Sequence, residues 1–348
     1  MAKKQKSSSA SDILKELDGI SIGTAEEVSF LSTGSPVLDW LCSNRFVGGG
    51  IPIGRVIELF GDPSTAKSLV GYSILAQVQQ MGGIAILDDV ENSFEPQWVR
   101  RCGLDIDNLV IISHKDADGN IRGSATVGEH YAVVDNVLSK LSGKVPLIGI
   151  MLDSMAQLST THEQEADFGV RDMTKAQEVR KLMRKLVSKV KSAKAVYIVC
   201  NHVISNFGRH GTVKVAPGGS GVPFGATLRI QLSNPRQIKN KHQETIGVDI
   251  KAYIPKNRIA PPFKEAKLRV LWNKGLDTTS GLFELCLRAG VIEEAGRGWY
   301  QFADGSGNKC RRNDFKYDEM LKHLSAIELD EAVAIDTIDA GEEGCVEA

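Results

Sequence analysis

Between Val56 and Cys200 the chain alternates apolar, β-like runs with helix-like runs: strand 56–60, helix 67–80, strand 84–88, helix 95–102, strand 109–112, helix 125–141, strand 146–152, helix 171–193 and strand 195–200. Such alternation predicts a mainly parallel sheet with helices on both faces. The first strand-to-helix junction, Gly61-Asp62-Pro63-Ser64-Thr65-Ala66-Lys67-Ser68, follows the pattern G-x-x-x-x-G-K-[ST] except that Ala66 stands where the second glycine is usual. In a loop of that kind backbone N–H groups converge on phosphates at a helix N-terminus, the lysine reaches the β- and γ-phosphates, and the serine hydroxyl holds Mg²⁺. The plain alternative is a turn between a strand and a helix.

A chain of 348 residues, 42% of them apolar, can fill one large α/β domain with a small appendage. It has no 18-residue apolar run, and Lys3-Lys4-Gln5-Lys6 leads into no apolar segment, so a soluble intracellular protein without a membrane partner is the expectation. Six cysteines without C-x-x-C spacing suggest neither zinc nor a disulfide framework. The net charge of −1 conceals an asymmetry, because residues 326–348 hold eight acids and no Lys or Arg, leaving 42 basic against 35 acidic residues elsewhere. Segment 171–214 carries eleven Lys and Arg against Asp172 and Glu178. That run is either a solvated helix face or a strip that binds a polyanion.

The organisation expected is an N-terminal tail with an oligomerisation helix (1–28), a core (29–275), a small helical and turn-rich lobe (276–325) and an acidic, disordered tail (326–348). Within the first, Ser11 to Leu17 reads as a short capped helix whose Ile13, Leu14 and Leu17 could dock on a neighbouring subunit. Pro36 to Leu41 is helix-like, and β-rich runs at 226–232, 246–254 and 266–272 suggest hairpin-like antiparallel additions to the sheet edge.

In open α/β sheets ligands sit beyond the carboxyl ends of the parallel strands. Three strands end there in polar groups: Asp88-Asp89-Val90-Glu91, Asp153-Ser154 and Asn201-His202. Asp153 closes an apolar strand in the manner of a carboxylate that organises Mg²⁺ through water, or else caps a turn. Glu91 is placed to orient or deprotonate a water, or is a surface acid. Asn201 and His202 are placed to bond a γ-phosphate, or His202 is a satisfied buried imidazole.

The runs Ala85 to Glu91, Pro96 to Leu109 and Pro255 to Lys264 resemble RecA-type recombinases. Asp172-Met173-Thr174-Lys175-Ala176, Cys200-Asn201-His202, Gly218-Gly219-Ser220-Gly221, Arg236-Gln237-Ile238-Lys239 and Gly298-Trp299-Tyr300 are similar to the tailed-phage, UvsX-type branch, over residues 28–302 in collinear order. The resemblance implies an α/β fold with a RecA-like P-loop ATPase core, and ATP with Mg²⁺ as its ligands. It makes Gly61 to Ser68 the phosphate loop, with Lys67 and Ser68 on phosphate and Mg²⁺, Glu91 the catalytic carboxylate, Asp153 the second Mg²⁺ residue and His202 a γ-phosphate sensor. Trp98 stands where relatives stack a tyrosine on adenine, and Glu95 where an adenine contact is expected. Lys256 and Arg258 match basic residues that reach a neighbour's triphosphate in a helical filament; otherwise they are exposed strand charges.

Two loops, Ser159–Val170 and Val203–Ala216, would then face DNA. Phe207, Arg209, His210 and Lys214, with Gly218 and Gly219, suit phosphate contact and base stacking without sequence preference. The activity implied is DNA-dependent ATP hydrolysis coupled to strand exchange between single-stranded and double-stranded DNA, in a phage-encoded protein of the bacterial cytoplasm. The acidic tail would compete with DNA, dock single-strand-binding or mediator proteins, or serve solubility. Two other readings stay open: a hexameric helicase motor on the same fold, and a DNA-coating filament without turnover.

Overall fold

The computed structural model describes residues 27–114, 125–165, 174–208, 211–215 and 219–326. In chain order the strands are β1 (Phe30–Leu31), β2 (Ile51–Pro52), β3 (Arg55–Gly61), β4 (Ile84–Asp89), β5 (Val110–Ile111), β6 (Ile148–Asp153), β7 (Val196–His202), β8 (Ile204–Gly208), β9 (Gly211–Val215), β10 (Leu228–Lys239), β11 (Thr245–Asn257), β12 (Glu265–Leu271), β13 (Gly275–Leu276), β14 (Ile292–Gly296) and β15 (Trp299–Phe302). The helices are α1 (Pro36–Ser43), α2 (Lys67–Gln80), α3 (Pro96–Arg100), α4 (Val127–Leu141), α5 (Thr161–Glu165), α6 (Lys175–Ser192), α7 (Gly221–Gly225), α8 (Leu282–Arg288) and α9 (Tyr317–Ser325). The expected helix at Ser11–Leu17 and the acidic tail from residue 327 lie outside the described residues.

Nine strands form one sheet in the order β13-β12-β11-β10-β3-β7-β6-β4-β5. From β10 to β5 neighbouring strands run parallel, and β11 to β13 add antiparallel strands beyond β10. The run at 226–232 was expected to join the sheet antiparallel; it pairs parallel with β3, Leu228 opposite Ile57. The physical reason is the connection, which passes from β7 through residues 203–227 and α7, long enough for a crossover where a tight turn would force antiparallel pairing. β3 is therefore interior, and its carboxyl end opens between β7 and β10.

The strands are apolar on both faces because helices cover both. Ile57, Leu59, Ile198 and Met151 face a core shared with α1 and α2, whereas Val56, Tyr197, Val199 and Ile150 face one shared with α4 and α6. The residues after 276 build α8, the β14–β15 hairpin and α9, whose Leu285, Phe302, Met320 and Leu324 continue the α1–α2 core. Cys42, Cys102, Cys200 and Cys286 are buried thiols, and Cys310 is a half-buried one. Among the described residues no helix is long and apolar enough to cross a membrane.

One polar knot ties the α4 face together. Asp88, fully buried on β4, meets His130 Nδ1 at 2.5 Å and His114 Nε2 at 2.8 Å, and His130 Nε2 meets the Tyr197 hydroxyl at 2.5 Å. Since the carboxylate can only accept, His130 donates to it through Nδ1 and meets the Tyr197 hydroxyl through Nε2. Burial pushes the Asp88 carboxyl up, but the two imidazoles outweigh it and hold the pKa below the usual range. The hydrogen bond to Asp88 raises His114 in turn. The knot fastens β4, α4, β7 and His114, three residues past β5, to one another.

Candidate nucleotide-binding site

The loop after β3 is built on backbone constraints. A Cβ on Gly61 would meet the Leu232 carbonyl oxygen at 2.0 Å, so only glycine fits where β3 passes β10. Thr65 Oγ1 donates to the Asp62 carbonyl at 2.8 Å and closes the turn. Ser64 and Ala66 both take left-handed conformations, with φ of 61° and 62°. Ala66 thus keeps the conformation that the usual glycine would supply, at a cost of about 1–2 kcal/mol in backbone strain. Replacing it should recover part of that. Ala66→Gly is expected to raise stability by about 0.5–1 kcal/mol, after the entropy of the added glycine, without changing nucleotide affinity; thermal unfolding and a nucleotide titration check both.

α2 begins at Lys67 with no side-chain cap, whereas Ser35, Glu95 and Thr126 cap α1, α3 and α4. Its first-turn N–H groups are left for an anion, reinforced by the helix dipole. Lys67 is buried and its Nζ donates to the carbonyls of Gly61 at 3.2 Å and Asp62 at 2.8 Å. Burial pulls its pKa down, and the nearby Asp153, Glu91 and Asp62 carboxylates offset this only in part. Pro63 is exposed at the tip of the turn.

The carboxylates that line the strand ends are held apart in role by their surroundings. Glu91 Oε1 accepts from Ser154 Oγ at 2.5 Å and from His202 Nε2 at 2.8 Å. Burial raises Glu91, but these two bonds with the His202 and Lys67 charges outweigh it and keep the carboxyl below its usual pKa. Asp153 is 2% exposed and is pushed up to about 6, by burial first and then by the Glu91 and Asp89 charges, against a contact with the Ser68 hydroxyl. Its Oδ2 has no hydrogen-bond partner. The Asp153 carbonyl accepts from the N–H groups of Val90 at 2.8 Å and Glu91 at 3.2 Å, and Asp89 accepts from Phe94 N at 2.7 Å, so the strand ends fix the loop that carries Glu91.

A Mg²⁺ ion carried with a nucleoside triphosphate fits this donor set. An orphaned, buried carboxylate oxygen beside a serine hydroxyl is the kind of incomplete oxygen site that phosphate oxygens and waters complete. Among the described residues no group of three or more His, Cys, Asp and Glu side chains could hold a metal without such help.

Other expected residues fall differently. Asn201 and His202 were both expected at the γ-phosphate, but only His202 reaches Glu91; Asn201 Nδ2 donates to Glu58 Oε1 at 3.1 Å on the other face of the sheet. Successive strand residues point to opposite faces, which the pairing of the two overlooked. Glu95, expected at adenine, caps α3 by accepting from Trp98 N at 2.7 Å and so positions the indole. Trp98 packs against Trp272, with ring centroids 5.7 Å apart and planes at 38°. Sequence reasoning missed Trp272; its only signal was an aromatic residue ending the β12 run at a turn.

Lys256 and Arg258 engage α7 of their own chain: Lys256 Nζ donates to the carbonyls of Pro223 at 2.7 Å and Phe224 at 3.0 Å, and Arg258 Nη2 to Phe224 at 3.0 Å. Burial first, then the Arg258 and Arg229 charges, bring Lys256 down to about 8. Within Val203–Ala216, expected as a loop, Ile204–Gly208 and Gly211–Val215 pair antiparallel as β8 and β9, with Phe207 opposite Thr212 and Lys214 opposite Ser205. Arg209, His210 and Gly218 lie outside the described residues. Gly219 has φ of 71°, and a Cβ there would meet Ala176 Cβ at 3.2 Å. Of the first expected DNA loop, Thr161–Glu165 is helical and 166–170 lies outside the described residues. α6 buries Val179, Leu182, Met183, Leu186 and Val190 and turns Arg180, Lys181, Arg184 and Lys185 outward.

Residues 13–277 match the family model of the RecA N-terminal domain. The chain is 29% identical to Protein RecA of Acinetobacter baumannii over 326 residues, 93% of this chain and 87% of that protein. It is 30% identical to Protein RecA of Thermus aquaticus over 323 residues, 91% and 89% of the two chains. With the family model covering most of its length and near-full-length relatives at this identity, the chain belongs to the RecA family.

Proposed function

We propose that this protein is an ATP-driven DNA strand-exchange recombinase of the UvsX type, phage-encoded and acting in a bacterial cytoplasm, which forms helical filaments on single-stranded DNA and pairs it with a homologous duplex. The observation that carries the reading is the Glu91 carboxylate, bonded by Ser154 and His202 beside the Lys67 loop and the unsatisfied oxygen of Asp153. In this reading the α2 N-terminus and Lys67 bind the triphosphate, and Trp98 with Trp272 forms the adenine platform. Ser68, and Asp153 through water, would hold Mg²⁺, which would neutralise charge on the phosphates. Glu91 accepts the proton of the attacking water, while His202, bonded to the same carboxylate, registers the γ-phosphate. Lys256 and Arg258 supply positive charge to a neighbour's site, and the outward basic face of α6 with the β8–β9 hairpin and Gly219 holds the DNA backbone. The acidic tail is assigned to accessory proteins or to competition with DNA.

The test is ATP hydrolysis with and without single-stranded DNA, alongside joint-molecule formation and negative-stain microscopy. DNA-stimulated turnover, homology-dependent joint molecules and filaments are expected. Rings that unwind duplex without pairing would replace this reading with a helicase motor, and filaments without turnover would replace it with a DNA-coating protein.

A further inference from the structure

β3 carries a fully buried charge that the nucleotide site does not use. Glu58 alternates with Ile57 and Leu59, which face α2, and so lies on the opposite side of the sheet, towards α6. Its Oε1 accepts from Asn201 Nδ2 at 3.1 Å, and its Oε2 accepts from Arg229 Nε. Arg229 stands in register between Glu58 on β3 and Lys256 on β11, with its guanidinium 4.3 Å from the centroid of the Phe60 ring. Lys256, with Arg258, clamps the α7 carbonyls. At the other end, Asn201 is followed directly by His202, which bonds Glu91. One polar row therefore crosses β7, β3, β10 and β11, apart from the Asp88 knot and the nucleotide-site carboxylates.

Two features argue that the row does more than fill space. A buried ion pair is a poor stabiliser beside an apolar pair of the same volume, so its place in the interior of a central strand calls for another role. Moreover Asn201 Oδ1 is buried without a hydrogen-bond partner. An unpaired buried acceptor is costly, and any shift of the His202–Asn201 end that satisfied it would change the pull on Glu58. The clamp at the far end holds α7, which packs on α6 so closely that a Cβ on Gly225 would meet Met183 Cε at 2.6 Å, and which follows the β8–β9 hairpin. Displacement of the clamp cannot be absorbed locally.

We propose that Glu58, Asn201 and Arg229 form a positioning bridge that ties the nucleotide-sensing end of β7 to the Lys256–Arg258 clamp on α7, passing the state of the nucleotide site to the segment between β7 and α7. The inference rests on the recombinase reading above, and it makes these three residues positioning groups that touch neither nucleotide nor DNA.

Full-length Glu58→Gln, Arg229→Gln and the double variant test it by three readouts: thermal unfolding, affinity for a fluorescent ATP analogue, and hydrolysis with and without single-stranded DNA. Each single variant leaves a buried partner uncompensated and is expected to lower Tm, and the double to recover much of that loss. ATP affinity in the double should stay within about twofold of the wild type, while the stimulation by DNA falls about tenfold. Recovery of stimulation together with stability in the double overturns the bridge, because a merely structural pair would be restored in both. Loss of DNA-independent hydrolysis to the same extent as stimulated hydrolysis overturns it too. A wild type without DNA stimulation overturns the functional reading and the bridge with it, whereas normal stimulation in the double overturns the bridge alone.

Discussion

Glu91→Gln is expected to bind ATP as the wild type does and to hydrolyse it about 10²–10⁴-fold more slowly, the usual contribution of a positioned proton acceptor. Both recorded hydrogen bonds to Glu91 fall on Oε1, from Ser154 at 2.5 Å and His202 at 2.8 Å. A glutamine keeps that oxygen and its two donors, while its NH₂ takes the place of Oε2 and cannot accept a proton. The carboxyl is held below its usual pKa, so it is ionised and able to act as a base throughout the neutral range. Glutamine matches its size but loses the charge in its bonds from Ser154 and His202, so stability at neutral pH should fall by about 1 kcal/mol. Single-turnover hydrolysis and equilibrium binding of a fluorescent nucleotide separate the two effects. Turnover within a few-fold of the wild type would remove Glu91 from the chemistry and leave it as the residue that orients His202.

The parts of the candidate site that were legible in the sequence are those that depend on one strand end at a time. Gly61 to Ser68, Glu91 and Asp153 each follow an apolar run, and a run followed by polar residues is a local signal. What depends on two distant segments left no such trace. Trp272 meets Trp98 only because β12 and α3 are brought together, and Arg229 finds Glu58 only because β10 lies beside β3. The direction of β10 was misread for the same reason, since a β-rich run records its content but not its partner. Asn201 failed on parity, which the sequence did contain: residues 201 and 202 of one strand cannot share a face. Glu58 was visible as well. An acid in the middle of Val56-Ile57-Glu58-Leu59-Phe60 contradicts an all-apolar central strand, and such contradictions mark positions where a buried charge has a partner or a task.

Lys67→Met is expected to separate what the loop needs for its own stability from what it needs for nucleotide. In the folded protein burial draws the Lys67 pKa down, so folding disfavours its charged form; the unfolded chain binds more protons there, and stability rises with pH across the range between the two pKa values. Methionine fills similar volume without that penalty, so at pH 7 the Tm of the nucleotide-free variant should equal or exceed that of the wild type. The ligand response should be the reverse. ATP with Mg²⁺ at 100 times its Kd adds about 2.7 kcal/mol to the wild type, and losing charge-assisted bonds worth about 1.5–3 kcal/mol should weaken binding roughly 10–100-fold and remove about half or more of that gain. DNA-stimulated hydrolysis and joint-molecule formation should disappear with it. Joint molecules that persist in the variant would sink the assignment of the nucleotide site. A fall of several degrees in the nucleotide-free Tm, with the ATP response intact, would instead mean that the bonds from Lys67 to the Gly61 and Asp62 carbonyls are its main work, and that the α2 N-terminus binds phosphate without it.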